Sequence, residues 1–469
     1  MSALTLSRVG RKFSWALPST LLALIFLGTV QPAHGLPAFA RKYGLRCSAC
    51  HESWPMLNYF GQKFKDNGYQ LMNDRDAPIW QNPGYWPVTF RITPIWHRVS
   101  TGKVPVDQGT GITRLTVSGF DLSGLDFHTG GTLEKNFSFY VLPSANNAAS
   151  FHFETVMARL DNIKGSPWLN LKFGKFELDN LLSEKRVLTL SANGGIYQLY
   201  HFRPAGDGNT FAQMGDNQLG IELMGHSYDD RTRYSASLLS SNDGQVGLPY
   251  GSNAYTGFFA ASRAFDAGKM GVDRIGFYAM LGQAPTYYLT NGGNPIGGSG
   301  AGNKSFHREG FVGQFYFGQH VDLQVVTQHG WDNAWFGQGY GNIINNPGPN
   351  NIPGTTLPVG SQAPTWNGVL LEPHYVYSPQ LIFIGRFEAL RMSRQANGSQ
   401  SAAPSKSNLG NLTTYTVGFR YNPFMTSRAG LAWHNEYNWL HSDGTGPLIG
   451  LNAANVNTSE ILSGFDFDF

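Results

Sequence analysis

The sequence predicts an all-β protein, a transmembrane antiparallel β-barrel of about 16 strands that follows a short, partly helical amino-terminal segment. Three observations predict this fold class: the composition, the alternation of apolar and polar residues, and the last six residues. Charged residues make up only 14% of the chain, aromatic residues also reach 14%, and 57 of the 469 residues are glycine. Soluble domains carry about 25% charged residues, so this composition is typical of barrel strands joined by glycine-rich loops.

From about residue 86 onward, apolar and polar residues alternate with a period of two, as they do along a strand that has one apolar face. In LTTYTVGFRY, for example, Thr416 and Gly418 separate the apolar residues Tyr415, Val417 and Phe419. A soluble β-sandwich or solenoid has the same alternation. The pattern therefore predicts strands but does not by itself select a membrane barrel.

The end of the chain favours the membrane barrel. In GFDFDF, the aromatic residues Phe465, Phe467 and Phe469 alternate with Asp466 and Asp468. An amphipathic last strand that ends in Phe resembles the sorting signal of bacterial outer-membrane barrels. A secreted soluble β-protein is the alternative to this interpretation.

The number of strands follows from the connections. The chain has about 17 strand-like segments, whereas a barrel of this kind needs an even number. Long connections are predicted near 442–457, 393–411, 332–364, 284–305 and 241–252. Short turns are predicted near 422–427, 377–380, 318–321, 266–272 and 227–231. The alternation continues to the amino terminus only if 177–215 is one long loop, outside the barrel or folded into it, which leaves about 16 strands.

The amino terminus has the features of a secretory signal peptide at residues 1–35. Basic residues precede an apolar run at 16–30, and small residues follow at a cleavage site. The run is too short for a convincing transmembrane helix, and the chain has no other run of about 18 apolar residues. We therefore expect an exported protein with a cytochrome-like segment at 36–85 and a barrel at 86–469.

One motif in the amino-terminal segment carries recognisable chemistry. GLRCSACHESW contains the only two cysteines of the chain, Cys47 and Cys50, and His51 follows them directly. C-x-x-C-H is the attachment signature of a c-type haem, in which two thiols bond to the porphyrin and the imidazole binds the iron. A redox disulfide or half of a zinc site uses the same residue types, but no βαβ pattern and no second cysteine pair favours either.

The second axial ligand of the haem iron is less well defined by the sequence. Met72 and Met56 are thioether candidates, and a Met ligand raises the haem potential. His97 is the nearest downstream imidazole, but it lies on the first predicted strand. We expect Met72 to be the distal ligand, because the residues after Gly68 are able to fold back.

A longer run around the motif resembles a known family. The residues that carry the resemblance flank the haem motif, namely Phe39-Ala40-Arg41, Gly44, Pro55, Leu57-Asn58, Phe60-Gly61, Phe64 and Asn67-Gly68-Tyr69. The segment 36–71 is similar to the amino-terminal segment of the outer-membrane cytochrome–porin fusions, whose best known members oxidise ferrous iron. The barrel resembles that family in architecture only.

The resemblance implies one covalent haem c on Cys47 and Cys50, with His51 as proximal iron ligand. It implies an electron-transfer oxidoreductase of the ferrous iron:cytochrome type, which oxidises extracellular Fe(II) and passes electrons to a periplasmic cytochrome or copper protein. The barrel would contact outer-membrane lipid, with the haem segment on the periplasmic side or in the lumen. The net charge of +3 is spread along the chain, so nucleic-acid binding is not expected.

Two other functions use the same sequence features. The first is an outward electron conduit to an extracellular acceptor, which differs from an iron oxidase only in the haem potential. The second is a passive porin with an accessory haem. Charged residues would then line its pore as a mixed-charge selectivity lining, with Glu154, Lys172, Arg386 and Glu388 as candidates.

Overall fold

The computed structural model defines the protein in a set of ranges separated by gaps. The described residues are 37–53, 56–72, 76–81, 87–107, 111–146, 150–179, 199–200, 214–215, 217–240, 255–266, 271–285, 288–289, 295–296, 303–333, 363–394, 411–426, 429–443 and 455–469. The signal peptide predicted at 1–35 lies outside them. The boundary predicted after residue 85 falls in the gap at 82–86.

The amino-terminal segment is short and partly helical, as predicted. Its helices are α1 (Pro37–Tyr43), α2 (Cys47–Cys50) and α3 (Tyr59–Asp66). Between α2 and α3, His51–Ser53 pairs with Met56–Leu57 as a small antiparallel hairpin. Helix α3 begins where the Asn58 side chain accepts a hydrogen bond from the Gly61 amide, which satisfies one of the free N–H groups of the first turn. Within the described residues no helix has the length and apolarity needed to cross a membrane.

Sixteen strands form one closed antiparallel barrel, which confirms the predicted fold class. The strands are β1 (Val88–Asp107), β2 (Gly111–Glu134), β3 (Phe137–Asn146), β4 (Ser150–Leu160), β5 (Asn170–Phe176), β6 (Gln218–His226), β7 (Thr232–Ser240), β8 (Tyr255–Asp266), β9 (Val272–Pro285), β10 (Asn303–Phe317), β11 (Val321–Asp332), β12 (Thr365–Ser378), β13 (Leu381–Arg394), β14 (Asn411–Met425), β15 (Gly430–Asp443) and β16 (Asn455–Asp468). Each strand pairs with its neighbours in sequence, so the chain winds once around the wall.

The last strand closes the barrel against the first. Strand β16 pairs with β15 on one side and with β1 on the other. At the very end of the chain, Phe469 and Phe90 exchange both backbone hydrogen bonds, at 2.9 and 3.0 Å, and their rings stack 5.4 Å apart. Closure removes the unpaired edge that an open sheet would present.

The wall has an apolar outer face and a polar inner face. Along β11 the buried residues alternate strictly with half-exposed ones, so Asp322 and Gln324 point into the lumen while Leu323 and Val325 point outward. The same alternation places Asp466 inside the barrel. The two-residue period of a strand produces this division, because successive side chains leave opposite faces of the sheet.

The two ends of the barrel differ. At one end the strands are joined by short turns, and both Val88 and Phe469 lie there; we call it the short-turn end. Four of the five predicted short turns lie where they were expected. The fifth, predicted near 422–427, was placed too early. β14 continues to Met425 because it regains its pairing with β15 after an irregularity, so the turn lies between Met425 and Gly430.

The opposite end, which we call the long-loop end, carries the predicted long connections. The gaps between β7 and β8, β9 and β10, β11 and β12, β13 and β14, and β15 and β16 all lie there. Within the gap between β9 and β10, Tyr288–Leu289 pairs with Pro295–Ile296. β1 and β2, of 20 and 24 residues, form a long hairpin at the same end.

The segment predicted at 177–215 adds no strand to the wall, because β5 and β6 pair directly with each other. Of its central part the structure describes residues 199 and 200, and both are buried inside the barrel. The Leu199 amide donates to Glu388 Oε1 at 2.6 Å, and its carbonyl accepts from Gln328 Nε2 at 3.2 Å. These two contacts place Leu199 against β11 and β13 in the lumen.

Candidate functional site

The amino-terminal segment is attached to the inner wall at the short-turn end. In α1, the Ala38 amide donates to Thr89 Oγ1 at 3.1 Å, and Lys42 Nζ donates to Thr132 Oγ1 at 2.9 Å. Both threonines are buried on β1 and β2. The helix is therefore held at the beginning of the barrel, next to the seam where β16 meets β1.

The carboxyl end of α3 is fixed by buried arginines of the wall. Arg159, which is 1% exposed, donates to the carbonyls of Lys65 and Asp66 at 2.8 and 2.9 Å and pairs with Asp161 at 2.6 Å. Arg233 of β7 pairs with the Asp66 carboxylate at 2.8 Å. Charge-assisted hydrogen bonds are stronger than neutral ones, so these arginines are major anchors of the segment.

The Cys-x-x-Cys-His residues form one compact turn. Cys47 and Cys50 begin and end α2, and the backbone N–H of His51 closes the turn by donating to the Cys47 carbonyl. The backbone N–H of Asn58 donates to the Cys50 carbonyl at 2.9 Å, which connects the turn to the start of α3. A Cβ atom on Gly61 would lie 2.0 Å from that carbonyl oxygen, so only glycine allows α3 to pack this closely.

Both cysteines are free thiols in a setting that disfavours the thiolate. Burial, with a smaller contribution from the Asp468 carboxylate, raises the pKa of Cys47 to about 12, and burial raises the pKa of Cys50 to about 11. A reactive redox thiol has a lowered pKa, and zinc binds thiolates. Among the described residues, moreover, Cys47, Cys50 and His51 do not converge within 4.8 Å as a three-ligand metal group.

Aromatic residues of the segment pack mainly against one another. Phe39 stacks on Tyr69 at 4.9 Å and meets the edge of Phe64 at 5.3 Å, and Tyr43 meets Phe64 at 5.4 Å. Tyr69 in turn contacts Tyr140 of β3, with ring centroids 6.0 Å apart. This cluster is an apolar core shared by the segment and the wall. It stabilises the segment, which has too few residues to form a sufficient core on its own.

The two candidate thioether ligands lie on different sides of the barrel. Met72 is 52% exposed, and its Sδ lies 4.0 Å from Asn162 Nδ2 in the connection between β4 and β5. Met56 is 2% exposed, pairs through its strand with the residues after the Cys-x-x-Cys turn, and accepts from Gln324 Nε2 at 3.1 Å. The fold thus brings Met56, and not Met72, to the hairpin that contains His51. Met72 as the distal ligand stays a prediction.

A cavity opens beside this hairpin, between the segment and strands β7, β9, β10 and β11. It is lined by Met56, Leu57, Asn58, Tyr59, Gln62, Arg233, Val272, Arg274, Gln314, Tyr316 and Gln324. Two guanidinium groups, those of Arg233 and Arg274, face it. Guanidinium groups are well suited to carboxylates such as haem propionates.

A buried polar network begins next to His51. The Tyr316 hydroxyl donates to Glu52 Oε1, and burial, together with the nearby Asp322 carboxylate, raises the pKa of Glu52 to about 8. Asp322 also accepts from His374 at 3.0 Å, and the other nitrogen of His374 lies 2.6 Å from Glu372. A neutral Glu52 at acid and neutral pH avoids repulsion with these carboxylates.

Of the four charged residues predicted to line a pore, Lys172 and Arg386 form ion pairs with other residues of the wall. Lys172 and Glu222 pair at 2.7 Å with side chains 6% and 0% exposed. Arg386 Nε pairs with Glu372 at 2.6 Å, and Glu388 accepts from the Leu199 amide. At Glu154 it is the backbone carbonyl that accepts, from Asn217. Each of these polar groups therefore contacts another protein group at the inner wall.

Comparison with known proteins adds information on the fold alone. The sequence matches no protein-family model and, at significance, no curated protein. Among solved structures, the chain is similar to an anion-selective porin from Comamonas acidovorans, with 11% identity, coverage of 81% of this chain and 98% of that one, and a TM-score of 0.49. It is also similar to OmpT of Vibrio cholerae (10% identity, 81% and 97% covered, TM-score 0.44) and OprB of Pseudomonas putida (10% identity, 81% and 94% covered, TM-score 0.45).

Sequence reasoning missed the wall residues that hold the segment, above all Arg159, Arg233 and Tyr316. Each is a polar residue at an inward position near the short-turn end of its strand. That position was readable from the alternation, but the partners of these residues in the segment lie 93 to 264 positions away in the sequence. A pattern of period two carries no information about such long-range contacts.

Proposed function

We propose that this chain is an outer-membrane c-type cytochrome joined to a porin-like barrel, and that it transfers single electrons across the outer membrane. Its substrate in this proposal is extracellular Fe(II), with a periplasmic cytochrome or copper protein as acceptor. The observation that carries the proposal is the position of the Cys-x-x-Cys-His turn inside the mouth of a closed barrel. A haem held there would lie between the lumen of the barrel and the space beyond its short-turn end.

The outer face supports a membrane location. Large apolar side chains point outward from the wall, among them Phe311, Tyr377, Phe383 and Phe465, which are 66%, 63%, 44% and 44% exposed. An exposed apolar area of this extent is unfavourable in water and is typical of lipid-facing barrel strands. Barrels of this class place short turns in the periplasm, which would put the haem segment on the periplasmic side.

The residues present fit a covalent haem. Cys47 and Cys50 supply two neutral thiols on one turn, and His51 follows as the imidazole ligand. Bound haem supplies reversible one-electron chemistry, which oxidises Fe(II) to Fe(III) and reduces the carrier. The chain itself positions the attachment turn through Gly61 and Asn58, and it offers Met56 on the short strand that pairs with His51–Ser53.

The interior of the barrel limits the donor. Leu199, Trp366 and Leu370 are each 0% exposed, and Leu199 contacts β11 and β13, the strands on either side of β12, so residue 199 occupies part of the lumen beside this wall. A mineral or protein donor does not enter such a lumen, whereas a small hydrated ion needs little space. The same packing disfavours a passive open porin. An outward conduit to a bulk acceptor is disfavoured for the same reason as a bulk donor.

The proposal is tested by haem staining, potentiometry and Fe(II) reduction on the purified protein. We expect Cys47→Ala and Cys50→Ala to lose stable covalent haem and His51→Ala to lose the native redox signal, while each variant keeps heat-modifiable barrel mobility. Fe(II) at acid pH should reduce the wild-type haem. Haem that remains covalently attached in the double cysteine variant would refute the attachment residues. A potential well below that of the Fe(III)/Fe(II) couple would refute iron oxidation and favour the outward conduit.

The same potentiometry distinguishes the two thioethers. A Met ligand raises the haem potential, so replacing it with Leu should lower the potential and change the visible spectrum. We expect this from Met56→Leu if the placement in the fold is decisive, and from Met72→Leu if the sequence-based prediction is correct. The variant without the effect serves as the control.

A further inference from the structure

A group of metal-ligating side chains lies on the outer wall, far from the haem motif. His307 and Glu309 are on β10 and His329 is on β11, and one potential ligand atom from each lies within 4.8 Å of the others. Among the described residues, this is the only group of three or more His, Cys, Asp or Glu residues that meets this criterion. We propose that these three residues bind a divalent first-row transition-metal ion. The proposal is independent of the haem.

Strand register explains why the three side chains meet. Glu309 and His329 are direct cross-strand partners, and His307 is two residues from Glu309 on the same face. Residues that oppose each other in an antiparallel pair have Cβ atoms about 5 Å apart, and i and i+2 share one face of the strand. His307 Nε2 lies 3.7 Å from Glu309 Oε1. A wall of regular strands therefore holds the group without any loop.

The donor set is that of a transition-metal site. Two imidazoles and one carboxylate bind Zn(II), Fe(II) and related ions, whereas Ca²⁺ and Mg²⁺ prefer oxygen ligands alone. The Nδ1 atom of His329 lies 2.9 Å from Asn367 Oδ1 on β12. Since an amide oxygen only accepts, the ring donates from Nδ1 and keeps its lone pair on Nε2. Metal-ligating histidines are commonly oriented by such a second hydrogen bond.

The position on the barrel makes the group accessible to water. Toward the short-turn end, the outward residues beside it are apolar, including Phe311 on β10 and Ile275 and Phe277 on β9. Toward the long-loop end, Ser305 and Asn303 follow on β10. The outward partner of His307 on β9 is still apolar, Leu281, so the group lies at the edge of the apolar band. The side chains of His307 and Glu309 are 34% and 44% exposed, so an ion is able to reach them.

The alternative is a simple interfacial cluster. His307 stacks on Trp331 with ring centroids 5.3 Å apart, and barrels commonly carry aromatic residues at this level. His441 provides a matched control, since it also points outward, stacks on Trp439 at 5.9 Å and lies 2.7 Å from Asn457 Oδ1, yet within the part of the chain that the structure describes it belongs to no such group.

The test is calorimetric titration of Zn(II) into the full-length, haem-loaded protein in detergent, with X-ray absorption of the bound zinc. We expect one zinc per chain with nitrogen and oxygen ligands at about 2.0–2.1 Å. His307→Ala, His329→Ala and Glu309→Gln should weaken binding by about 100-fold or more, and Asn367→Leu by about 10-fold, because an outer partner costs less than a ligand. His441→Ala should bind zinc like the wild type.

Each variant is checked for folding by heat-modifiable mobility and by the haem spectrum, which the proposal expects to be unchanged. His329→Gln gives a second, milder variant in case alanine impairs assembly. The proposal is overturned if the wild type binds no stoichiometric zinc, because the three residues then form an interfacial cluster only. Zinc binding that survives all three ligand substitutions, or that is lost equally in His441→Ala, also overturns it.

Discussion

Release of the amino-terminal segment from the barrel should open the lumen, and Arg159 is the residue whose replacement tests this most directly. Its guanidinium makes two hydrogen bonds to the segment, to the carbonyls of Lys65 and Asp66, and one ion pair to Asp161 within the wall. Arg159→Met keeps much of the side-chain volume and removes all three interactions.

The expected magnitude follows from the two bonds that cross between segment and wall. A hydrogen bond to a charged group contributes about 1.5–3 kcal/mol, so the docked state should lose about 3–6 kcal/mol. Each 1.4 kcal/mol changes an equilibrium about tenfold, so the population of undocked segment should rise roughly 100-fold or more. The segment stays covalently joined to β1, so undocking is reversible.

The assay is single-channel recording in planar bilayers, together with limited proteolysis of residues 37–81. Arg159→Met should show frequent openings and faster cleavage, whereas Arg391→Met should resemble the wild type. Arg391 also donates to backbone and threonine oxygens, but on the outer face of β13 and β14.

A second variant separates docking from the cost of an unpaired buried charge. Arg159→Met leaves Asp161 buried without its guanidinium, although Ser138 Oγ still donates to it at 3.2 Å. Arg159→Met combined with Asp161→Asn removes that charge and should still open the channel. If both variants keep wild-type conductance and proteolysis, the arginine does not hold the segment and the reasoning fails.

Three further predictions concern the turn, the chain end and pH. Gly61→Ala should displace α3 from the Cys50 carbonyl and reduce haem attachment, because the added Cβ would lie 2.0 Å from that oxygen. The measurement is the intensity of haem staining relative to the amount of folded barrel. Deleting Phe469 should block membrane assembly but not export, since Phe469 pairs with Phe90 at the closing seam; normal heat-modifiable barrel would contradict this. Because the pKa of Glu52 is raised to about 8 in the docked segment, docking is strongest below the pKa of an unfolded carboxyl group and weakens as the pH rises through about 8. The rate of proteolysis of the segment should therefore increase over this pH range, and Glu52→Gln should remove that pH dependence.

The amino-acid sequence by itself determined the barrel and its strand faces. Period-two alternation fixes which side chains face outward once a closed antiparallel sheet forms, so Tyr415, Val417 and Phe419 were placed correctly without a structure. A barrel of this kind has an even number of strands because both ends of the chain lie at the same end of the barrel. This geometric requirement excluded 177–215 from the wall. The Cys-x-x-Cys-His motif is equally local, since the five residues that define it are consecutive.

Only the tertiary structure decided how the segment sits in the barrel. Met56 and Met72 are both thioether candidates in the sequence, and Met72 was the expected ligand, yet Met56 is buried against Gln324 and Met72 is exposed beside Asn162. The same is true of Arg159, whose partners are carbonyls more than ninety residues earlier in the chain. Such contacts depend on which inner-wall positions the segment reaches when it folds into the lumen. That choice is made by three-dimensional packing and hydrogen-bond geometry, which no local pattern of apolar and polar residues encodes.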